Sequence, residues 1–196
     1  GASKRIAEMI VQDTSRCYPE HRLGIVRFGN VLDSSGSVVP LFREQINKRL
    51  PITVTHPEIT RYFMSIGEAA RLVIQAGAIA KNGEVFLLEM GEPVKIRDLA
   101  LQMIELSGLI PEKDIPLKYT GLRPGEKLHE ELLIDPVKTQ PTKHPRIFFS
   151  EEPLPPEEIL QKEISLLSKS IEKRDLSSAL ESMKRLVPEY NPDNGQ

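Results

Sequence analysis

Apolar residues recur at intervals of three and four along much of the chain, the spacing that puts them on one face of an amphipathic helix. The predicted helices cover about residues 3–17, 38–49, 66–80 and 96–106, and two more apolar stripes lie between 157 and 187. Ser65 and Glu68 form a capping box at the start of the third helix. Helices are therefore expected to alternate with shorter segments of another kind.

Two of these shorter segments, 23–28 and 84–88, are apolar on both faces, which is typical of buried strands in a parallel sheet. Further extended segments are predicted at 52–55 and 61–64. The order helix, strand, helix, strand, helix indicates an α/β fold. We therefore expect strands 23–28 and 84–88 to lie parallel, as the last strands of a doubly wound sheet.

The segment from 136 to 156 contains six prolines in 21 residues, and proline interrupts helices and central strands. We interpret this segment as an ordered crossing or a linker between a body over 1–135 and a tail over 157–190. The tail contains two apolar stripes that are joined near 173–175. It is therefore predicted to be a helical hairpin.

The composition is that of a globular protein, with 196 residues, 39% of them apolar, and a formal net charge of −2. No run of five like charges occurs, so nucleic acid is not an expected partner. Cys17 is the single cysteine, which excludes an internal disulfide and a structural zinc site and fits a reducing compartment. The apolar stretches are far shorter than the roughly 18 residues of a membrane span. We expect a soluble, cytoplasmic chain without a metal site, and part of a longer protein.

The strongest candidate for chemistry is the turn Arg123-Pro124-Gly125-Glu126, whose proline and positive-φ glycine project two charged side chains together. Arg123 could bind a phosphate through two N–H groups, and Glu126 could accept a hydrogen bond from a ribose hydroxyl. A surface salt bridge between the two side chains accounts for the same residues. The four residues alone leave both interpretations open.

Three other positions also have a binding and a structural interpretation. The loop 35–38 precedes a predicted helix whose N-terminus could hold an anion or only be capped. Arg61 lies in an apolar segment and needs an anionic partner, which a ligand or a glutamate could provide. Asn30 follows the carboxyl end of strand 23–28, where ligands bind in open α/β sheets, but asparagine is also common in turns. The four histidines lack metal-ligand spacing and are interpreted as structural or surface residues.

Seven short motifs occur in an order that resembles one protein family. They are GASK from Gly1, VRFGNV from Val26, SGSVVP from Ser35, TVTHPE from Thr53, TRYFM from Thr60, MGEPV from Met90 and GLRPGEK from Gly121. Together they resemble the second half of bacterial nucleotide-sugar 4,6-dehydratases of the CapD-like type. These belong to the extended short-chain dehydrogenase/reductases and act in capsule, O-antigen and glycan synthesis. The match runs to about residue 133, and 187–190 resembles the ending of the larger, membrane-anchored members.

The resemblance implies the C-terminal part of a Rossmann-like sheet, a substrate-binding subdomain and the tail hairpin. It also implies NAD or NADP, bound mainly by an N-terminal half that this sequence does not contain. Lys4 matches the lysine of the family's Tyr-x-x-x-Lys motif, which holds the nicotinamide ribose and places positive charge beside the reacting centre. Lys4 is thus the implied catalytic and cofactor-binding residue. The family's Tyr, or Met in larger members, would directly precede Gly1.

Five residues match substrate-binding positions in the first part of the resemblance. Asn30 matches an asparagine that contacts the nucleotide sugar, and Ser37 and Val38 fall in the pyrophosphate loop. Arg43 matches a basic position near the phosphates. Thr53 lies in the strand beside the uracil. The resemblance therefore implies that these side chains surround one ligand.

Three more substrate positions follow. Arg61 and Arg123 match the two arginines that clasp the diphosphate, and Glu126 matches the acid that binds the ribose. We expect these groups to converge on one pocket with Asn30 and the loop at Ser37. Asp33 departs from the pattern, since relatives usually have glycine there.

The implied reaction oxidises the sugar of UDP-N-acetylglucosamine at C4, eliminates water across C5 and C6, and returns the hydride to C6. The chain alone is expected to be inactive, because it lacks the glycine-rich loop and the acid/base Asp-Lys pair. A UDP-sugar ligand and a homo-oligomer are implied, and attachment of the parent protein to the inner membrane is left open. The alternatives are a nucleotide-sugar epimerase of the same superfamily and a noncatalytic interaction module that binds through the tail hairpin.

Overall fold

The computed structural model describes residues 1–130 and 139–191. The chain forms two compact units, each assembled from separate parts of the sequence. The first unit contains Gly1–Val26, Gln75–Leu87 and Pro136–Gln196, and the second contains Arg27–Ile74 and Leu88–Asp135. One division between the units falls between Asp135 and Pro136, at the predicted end of the body, and the N-terminal helix belongs to the same unit as the tail. Residues 131–138, around this division, lie outside the described residues.

The helices and strands are named here in chain order. The described helices are α1 (Ala2–Cys17), α2 (Val38–Asn47), α3 (Ile66–Ile79), α4 (Ile96–Leu106), α5 (Glu157–Glu172) and α6 (Leu176–Leu186). The described strands are β1 (Gly24–Arg27), β2 (Asn30–Val31), β3 (Ile52–Val54), β4 (Thr60–Arg61), β5 (Phe63–Met64), β6 (Glu84–Leu88), β7 (Val94–Lys95), β8 (Leu117–Tyr119), β9 (Thr139–Pro141) and β10 (Ile147–Ser150). The predicted helices agree with α1 to α6 within about two residues at each end, the usual uncertainty of helix boundaries.

The first unit contains a four-stranded sheet in the order β1, β6, β10, β9. Val85, Phe86 and Leu87 of β6 are buried, as expected for a strand that is apolar on both faces. The sequence prediction that β1 and β6 belong to one sheet is confirmed, and they are direct neighbours in it.

The predicted helical hairpin is present as α5 and α6. Asp175 caps α6, because its Oδ1 accepts a hydrogen bond from the backbone N–H of Ser178 at 3.1 Å. Hydrogen bonds from the Ser178 hydroxyl and backbone lower the pKa of the Asp175 carboxyl. Leu160 of α5 is fully buried in a cluster that includes Ile6 and Met9 of α1. The hairpin therefore shares a hydrophobic core with the first helix of the chain.

The proline-rich segment contains regular structure that the sequence interpretation did not foresee. β9 and β10 form an antiparallel pair inside the predicted linker. The prolines allow this because Pro141 is the last residue of β9, which lies at the edge of the sheet, and edge strands tolerate proline. Phe149 of β10 also packs against Phe86 of β6 with ring centroids 6.4 Å apart. The segment is thus part of the sheet of the first unit as well as a connection.

The second unit is built from three strand pairs around helices α2 and α4. β2 pairs with β5 and β3 with β8, both parallel, and β4 pairs with β7 antiparallel. Its described core contains a cluster of buried apolar side chains from these elements and the loops beside them. The cluster contains Phe42, Ile46, Ile52, Val54, Ile59, Ile96, Ala100, Ile104 and Ile115. These short elements hold loops in place rather than form a wide sheet.

Two features of the second unit differ from the sequence prediction. The extended segment 61–64 is interrupted at Tyr62, so that β4 and β5 pair with different partners. β8 was not predicted, because its three residues follow a proline and include the charged Lys118. β8 is extended because it pairs with β3, beginning at Ile52↔Leu117. These two strands are 65 residues apart in the sequence.

Candidate functional site

A cleft of about 350 Å³ lies within the second unit. Seven of the eight predicted substrate positions line it. They are Asn30, Ser37, Val38, Thr53, Arg61, Arg123 and Glu126. Apolar side chains such as Leu41 and Phe63 complete its walls. The structure thus brings together residues that are spread over most of the unit's sequence.

The turn at 123–126 has the predicted geometry. Gly125 has a φ of 73°, and the backbone N–H of Glu126 donates to the carbonyl of Arg123 at 2.9 Å. The carboxylate of Glu126 folds back on this turn, where Oε2 accepts the backbone N–H of Arg123 at 3.0 Å. Its other oxygen lies 3.5 Å from Nη2 of Arg61. The contacts of the described residues therefore pair Glu126 with Arg61 rather than with the side chain of Arg123.

Arg61 is held by several groups of its own unit. Nη1 donates to the carbonyl of Thr60 at 2.7 Å, and Nε lies 3.6 Å from Oε1 of Glu130. Its side chain is only 14% exposed, so it needs these partners to offset the loss of water. The sequence left open whether a ligand or a glutamate compensates Arg61. In the structure, Glu126 and Glu130 both do so.

Glu126 has acceptor capacity left for a ligand. Thr55 donates its hydroxyl to Oε1 at 3.2 Å, in addition to the contacts with Arg61 and the backbone of Arg123. An ionised carboxylate offers about four lone-pair directions, and the chain uses three of them. One direction therefore remains for a hydroxyl group in the cleft.

Arg123 differs from Arg61 in its contacts with the described residues. Among the residues that the structure describes, no carboxylate or carbonyl pairs with its guanidinium, and the residue is exposed. The described residues thus leave its N–H donors to an anion in the cleft, and a guanidinium binds phosphate through two parallel hydrogen bonds.

Thr53 lies in β3 at the wall of the cleft and is fixed by Gln45 of α2. The side-chain amide of Gln45 donates to Thr53 Oγ1 at 2.9 Å and accepts the backbone N–H of Thr53 at 3.2 Å. Ile52 and Val54 on either side are buried, which anchors the strand. Because the Thr53 oxygen already accepts from Gln45, its own hydrogen is free to be donated to a ligand.

The loop before α2 meets the cleft at Ser37, the N-cap residue of that helix. Its side chain makes no capping hydrogen bond, and its buried Oγ has no partner among the described residues. Gly36 adopts a φ of 73°, which glycine accepts without strain. The free hydroxyl and the backbone N–H groups of the first helical turn form a polar edge to which an anion could bind.

Asn30 is placed by a close approach of the backbone. Its N–H donates to the carbonyl of Tyr62 at 2.9 Å. A Cβ on the preceding Gly29 would lie 3.0 Å from Cε of Met90 and 3.1 Å from that same carbonyl. Glycine at position 29 therefore allows β2 to approach β5 and brings Asn30 to the cleft.

Arg43 is the predicted substrate residue that does not line the cleft. Its Nη1 lies 2.9 Å from Oδ1 of Asp33. The hydrogen bond and charge of Asp33 raise the pKa of the Arg43 guanidinium. Asp33 itself adopts a φ of 61°, a conformation that suits the glycine expected there. Lys4 belongs to the first unit, where it is exposed in the first turn of α1.

Three residues that hold cleft residues in place were missed by the sequence interpretation. Thr55 and Glu130 contact Glu126 and Arg61 from distant parts of the sequence. Gln45 contacts Thr53, eight residues further along the chain. Of these three residues, only Glu130 could have been suggested by the sequence, because it closely follows the turn at 123–126.

Within 1–130 and 139–191, no cluster of three or more His, Cys, Asp or Glu residues could hold a metal ion. Those same residues contain no helix long and apolar enough to cross a membrane.

The chain is similar to several known proteins. It is 60% identical over 133 residues to the capsular polysaccharide biosynthesis protein CapD of Staphylococcus aureus. The matched region covers 68% of this chain and 22% of CapD. It is 34% identical over 135 residues to a UDP-glucose 4-epimerase of Rickettsia felis, covering 68% of this chain and 38% of the epimerase. Among solved structures, Pen from Bacillus thuringiensis matches with a TM-score of 0.64 and 37% identity over 76% of this chain and 46% of Pen. The chain thus spans less than half the length of each.

A family model described as polysaccharide biosynthesis protein matches residues 1–152, which include the whole second unit and its cleft. The α/β class predicted from the sequence and the resemblance to CapD-like proteins are confirmed by these matches. This chain belongs to the polysaccharide biosynthesis protein family.

Proposed function

We propose that this chain is the C-terminal, substrate-binding portion of a nucleotide-sugar 4,6-dehydratase that acts on UDP-N-acetylglucosamine. The observation that carries the proposal is the convergence of Arg61, Arg123 and Glu126 on one cleft with Asn30 and Ser37. These residues come from separate stretches of sequence, so their meeting is not explained by local structure. Membership of the polysaccharide biosynthesis family supports the same substrate class.

The polar groups of the cleft have different parts in this proposal. Arg61 and Arg123 clasp the diphosphate, Arg123 with a guanidinium that no described residue pairs, and the polar edge at Ser37 donates to the same phosphates. Glu126 accepts a ribose hydroxyl in its remaining direction. Thr53 donates its hydroxyl hydrogen to a carbonyl oxygen of the base. The cleft thus provides donors for phosphates and base and an acceptor for the sugar of the nucleoside.

The implied cofactor is NAD or NADP, for which this chain offers one candidate contact. Lys4 is exposed in the first turn of α1, so its ammonium is available to the nicotinamide ribose, as the proposal requires. The bound nicotinamide supplies the hydride acceptor and donor of the reaction. Lys4 contributes a positive charge that favours a developing anion on the substrate. We expect the chain alone to be inactive.

A nucleotide-sugar epimerase is the second candidate, favoured by the identity to a UDP-glucose 4-epimerase. The two arginines and the acidic residue serve either reaction, because both begin with a bound nucleotide sugar. Product analysis by NMR on the whole protein distinguishes them, since a dehydratase yields a 4-keto-6-deoxy sugar and an epimerase an intact hexose. A noncatalytic interaction module remains the alternative of another class. It gives no reason for Arg123, Glu126 and Thr53 to share a cleft.

A titration of the chain with UDP tests the proposal. We expect UDP binding by calorimetry and a loss of affinity of about 10- to 100-fold in Arg123→Ala, the range of one or two charge-assisted hydrogen bonds. Arg71→Ala is the matched control, because Arg71 is also an exposed arginine of the second unit but does not line the cleft. Equal affinities in the wild type and Arg123→Ala would favour the interaction module.

The longer protein that contains this chain is proposed to form a homo-oligomer and to be attached to the inner membrane. This chain is proposed to lie on the cytoplasmic side. Fractionation of cells that produce the whole protein, with and without detergent, tests the attachment. Light scattering of the purified protein tests the oligomer.

A further inference from the structure

Two arginines and one glutamate line the cleft, a second glutamate lies directly beside it, and the four formal charges cancel. Arg61 lies between two carboxylates, 3.5 Å from Glu126 and 3.6 Å from Glu130. Arg123 lines the cleft without a described partner. A site built only to attract a diphosphate would carry excess positive charge. The second carboxylate, at Glu130, helps to offset the burial of Arg61, but its charge also lowers the attraction of the site for a diphosphate.

Glu130 is fixed in this place and does not line the cleft itself. Its Oε2 accepts the backbone N–H of Tyr62 at 3.2 Å, while Oε1 faces Nε of Arg61. The side chain is 32% exposed, so its charge acts through a partly screened environment. A phosphate that contacts Arg61 would lie within about 10 Å of this carboxylate, a distance at which charges still interact in water.

We propose that Glu130 is a specificity residue that limits the negative charge of the nucleotide bound in the cleft. The inference rests on the proposed function, because it concerns the same ligand. In a nucleotide sugar, both phosphates of the diphosphate are esterified and carry about one negative charge each. A terminal phosphate loses a further proton with a pKa of about 6 and is more negative at neutral pH. Glu130 thus favours nucleotide sugars over free nucleoside di- and triphosphates.

Coulomb's law gives the size of the effect. At about 10 Å in a medium like water, one charge pair contributes about 0.4 kcal/mol, which is about twofold in affinity for each ligand charge. A nucleotide sugar with about two charges is disfavoured about fourfold and a triphosphate with about four charges about sixteenfold. Glu130 therefore improves selectivity between them by about fourfold.

The variant Glu130→Gln separates this role from a structural one. Glutamine has the same shape and keeps an acceptor for the N–H of Tyr62, but it removes the charge. Glu158→Gln is the matched control, because it removes the charge of an exposed glutamate in α5 of the other unit. Affinities of UDP-N-acetylglucosamine, UDP and UTP are measured by calorimetry at low salt for the full chain and both variants.

We expect Glu130→Gln to bind all three ligands more tightly, with gains of about four-, eight- and sixteenfold in the order of their charge. The gains should shrink at 1 M salt, where the Debye length falls to about 3 Å. Glu158→Gln should match the wild type. Equal gains for the three ligands, or a uniform loss, overturn the inference and leave the proposed function standing. If neither wild type nor Glu130→Gln binds any of them, both are wrong.

Discussion

Each unit contains a cleft lined by arginine and glutamate, and the two clefts differ in what those side chains already bind. The cleft of the first unit has a volume of about 780 Å³, against about 350 Å³ in the second. In the larger cleft, Arg5 donates to the carbonyl of Pro153 and pairs with Glu8 and Glu152. Arg185 pairs with Glu163. The two arginines of this cleft are thus used to hold the unit together.

The smaller cleft contains polar groups whose hydrogen-bonding capacity the described residues do not fully use. Arg123 has no described partner for its guanidinium, and the buried Oγ of Ser37 is unpaired among the described residues. Glu126 and Thr53 retain an acceptor and a donor direction. A buried hydroxyl without a partner is costly for stability, so its retention at Ser37 points to a ligand. Asp13 Oδ1 of the first unit is also unpaired among the described residues, but Asp13 does not line the larger cleft. Between the two clefts, unused hydrogen-bonding capacity therefore distinguishes the candidate site better than volume does.

The largest expected effect comes from removing one arginine in each cleft. Arg5 and Arg61 are both 14% exposed, and each faces two carboxylates. We expect Arg5→Met and Arg61→Met to destabilise the fold similarly, by about 2 kcal/mol, because partly buried carboxylates lose their cation. Only Arg61→Met should also weaken UDP binding, by about tenfold. Chemical denaturation and UDP titration measure the two quantities, and loss of UDP binding in Arg5→Met would remove the distinction between the clefts.

A smaller effect is expected at Gly29, where the backbones near β2 and β5 come close to each other. In Gly29→Ala the new Cβ would lie 3.0 Å from Cε of Met90 and 3.1 Å from the carbonyl of Tyr62. We expect a loss of about 1 kcal/mol in unfolding free energy, at the low end for overpacking, together with weaker UDP binding, because Asn30 shifts with the strand. Gly67→Ala in α3 is the control, since nothing lies within 4 Å of its added Cβ. It should stabilise the protein slightly, and a similar loss in both variants would contradict the close-approach argument.

These residues also show how far the sequence predicts the structure. The helices follow from spacing, and the turn at Gly125 follows from its proline and glycine, because both depend on neighbours in sequence. β8 and the contacts of Gln45 and Glu130 do not follow from the local sequence, because they depend on residues that the fold brings together. The resemblance to a family located seven cleft residues. It also placed Arg43 near the phosphates, where the structure pairs it with Asp33, the position that departs from the family.

Loss of the two hydrogen bonds between Gln45 and Thr53 is expected to have an intermediate effect. Gln45→Met keeps the length of the side chain but removes both hydrogen bonds to Thr53, at 2.9 and 3.2 Å. We expect about fivefold weaker UDP binding, equivalent to about 1 kcal/mol, because the Thr53 hydroxyl is no longer oriented. Gln102→Met, at an exposed position of α4, is the control and should bind UDP normally. An unchanged affinity in Gln45→Met would mean that Thr53 does not contact the nucleotide.

The smallest expected effect lies at the edge of the site, where Asp33 engages Arg43. Both side chains are about half exposed, at 49% and 55%, so solvent screens their pairing. Asp33→Asn removes the charge and tolerates the positive φ of this position. Arg43 is then released, and we expect UDP affinity at low salt to rise by about twofold or less. The gain should disappear when Arg43→Ala is added, because the released arginine is its cause. A gain that persists in the double variant would show that Asp33 repels the phosphates directly, and a loss of affinity would show that the Asp33–Arg43 pair supports the loop before α2.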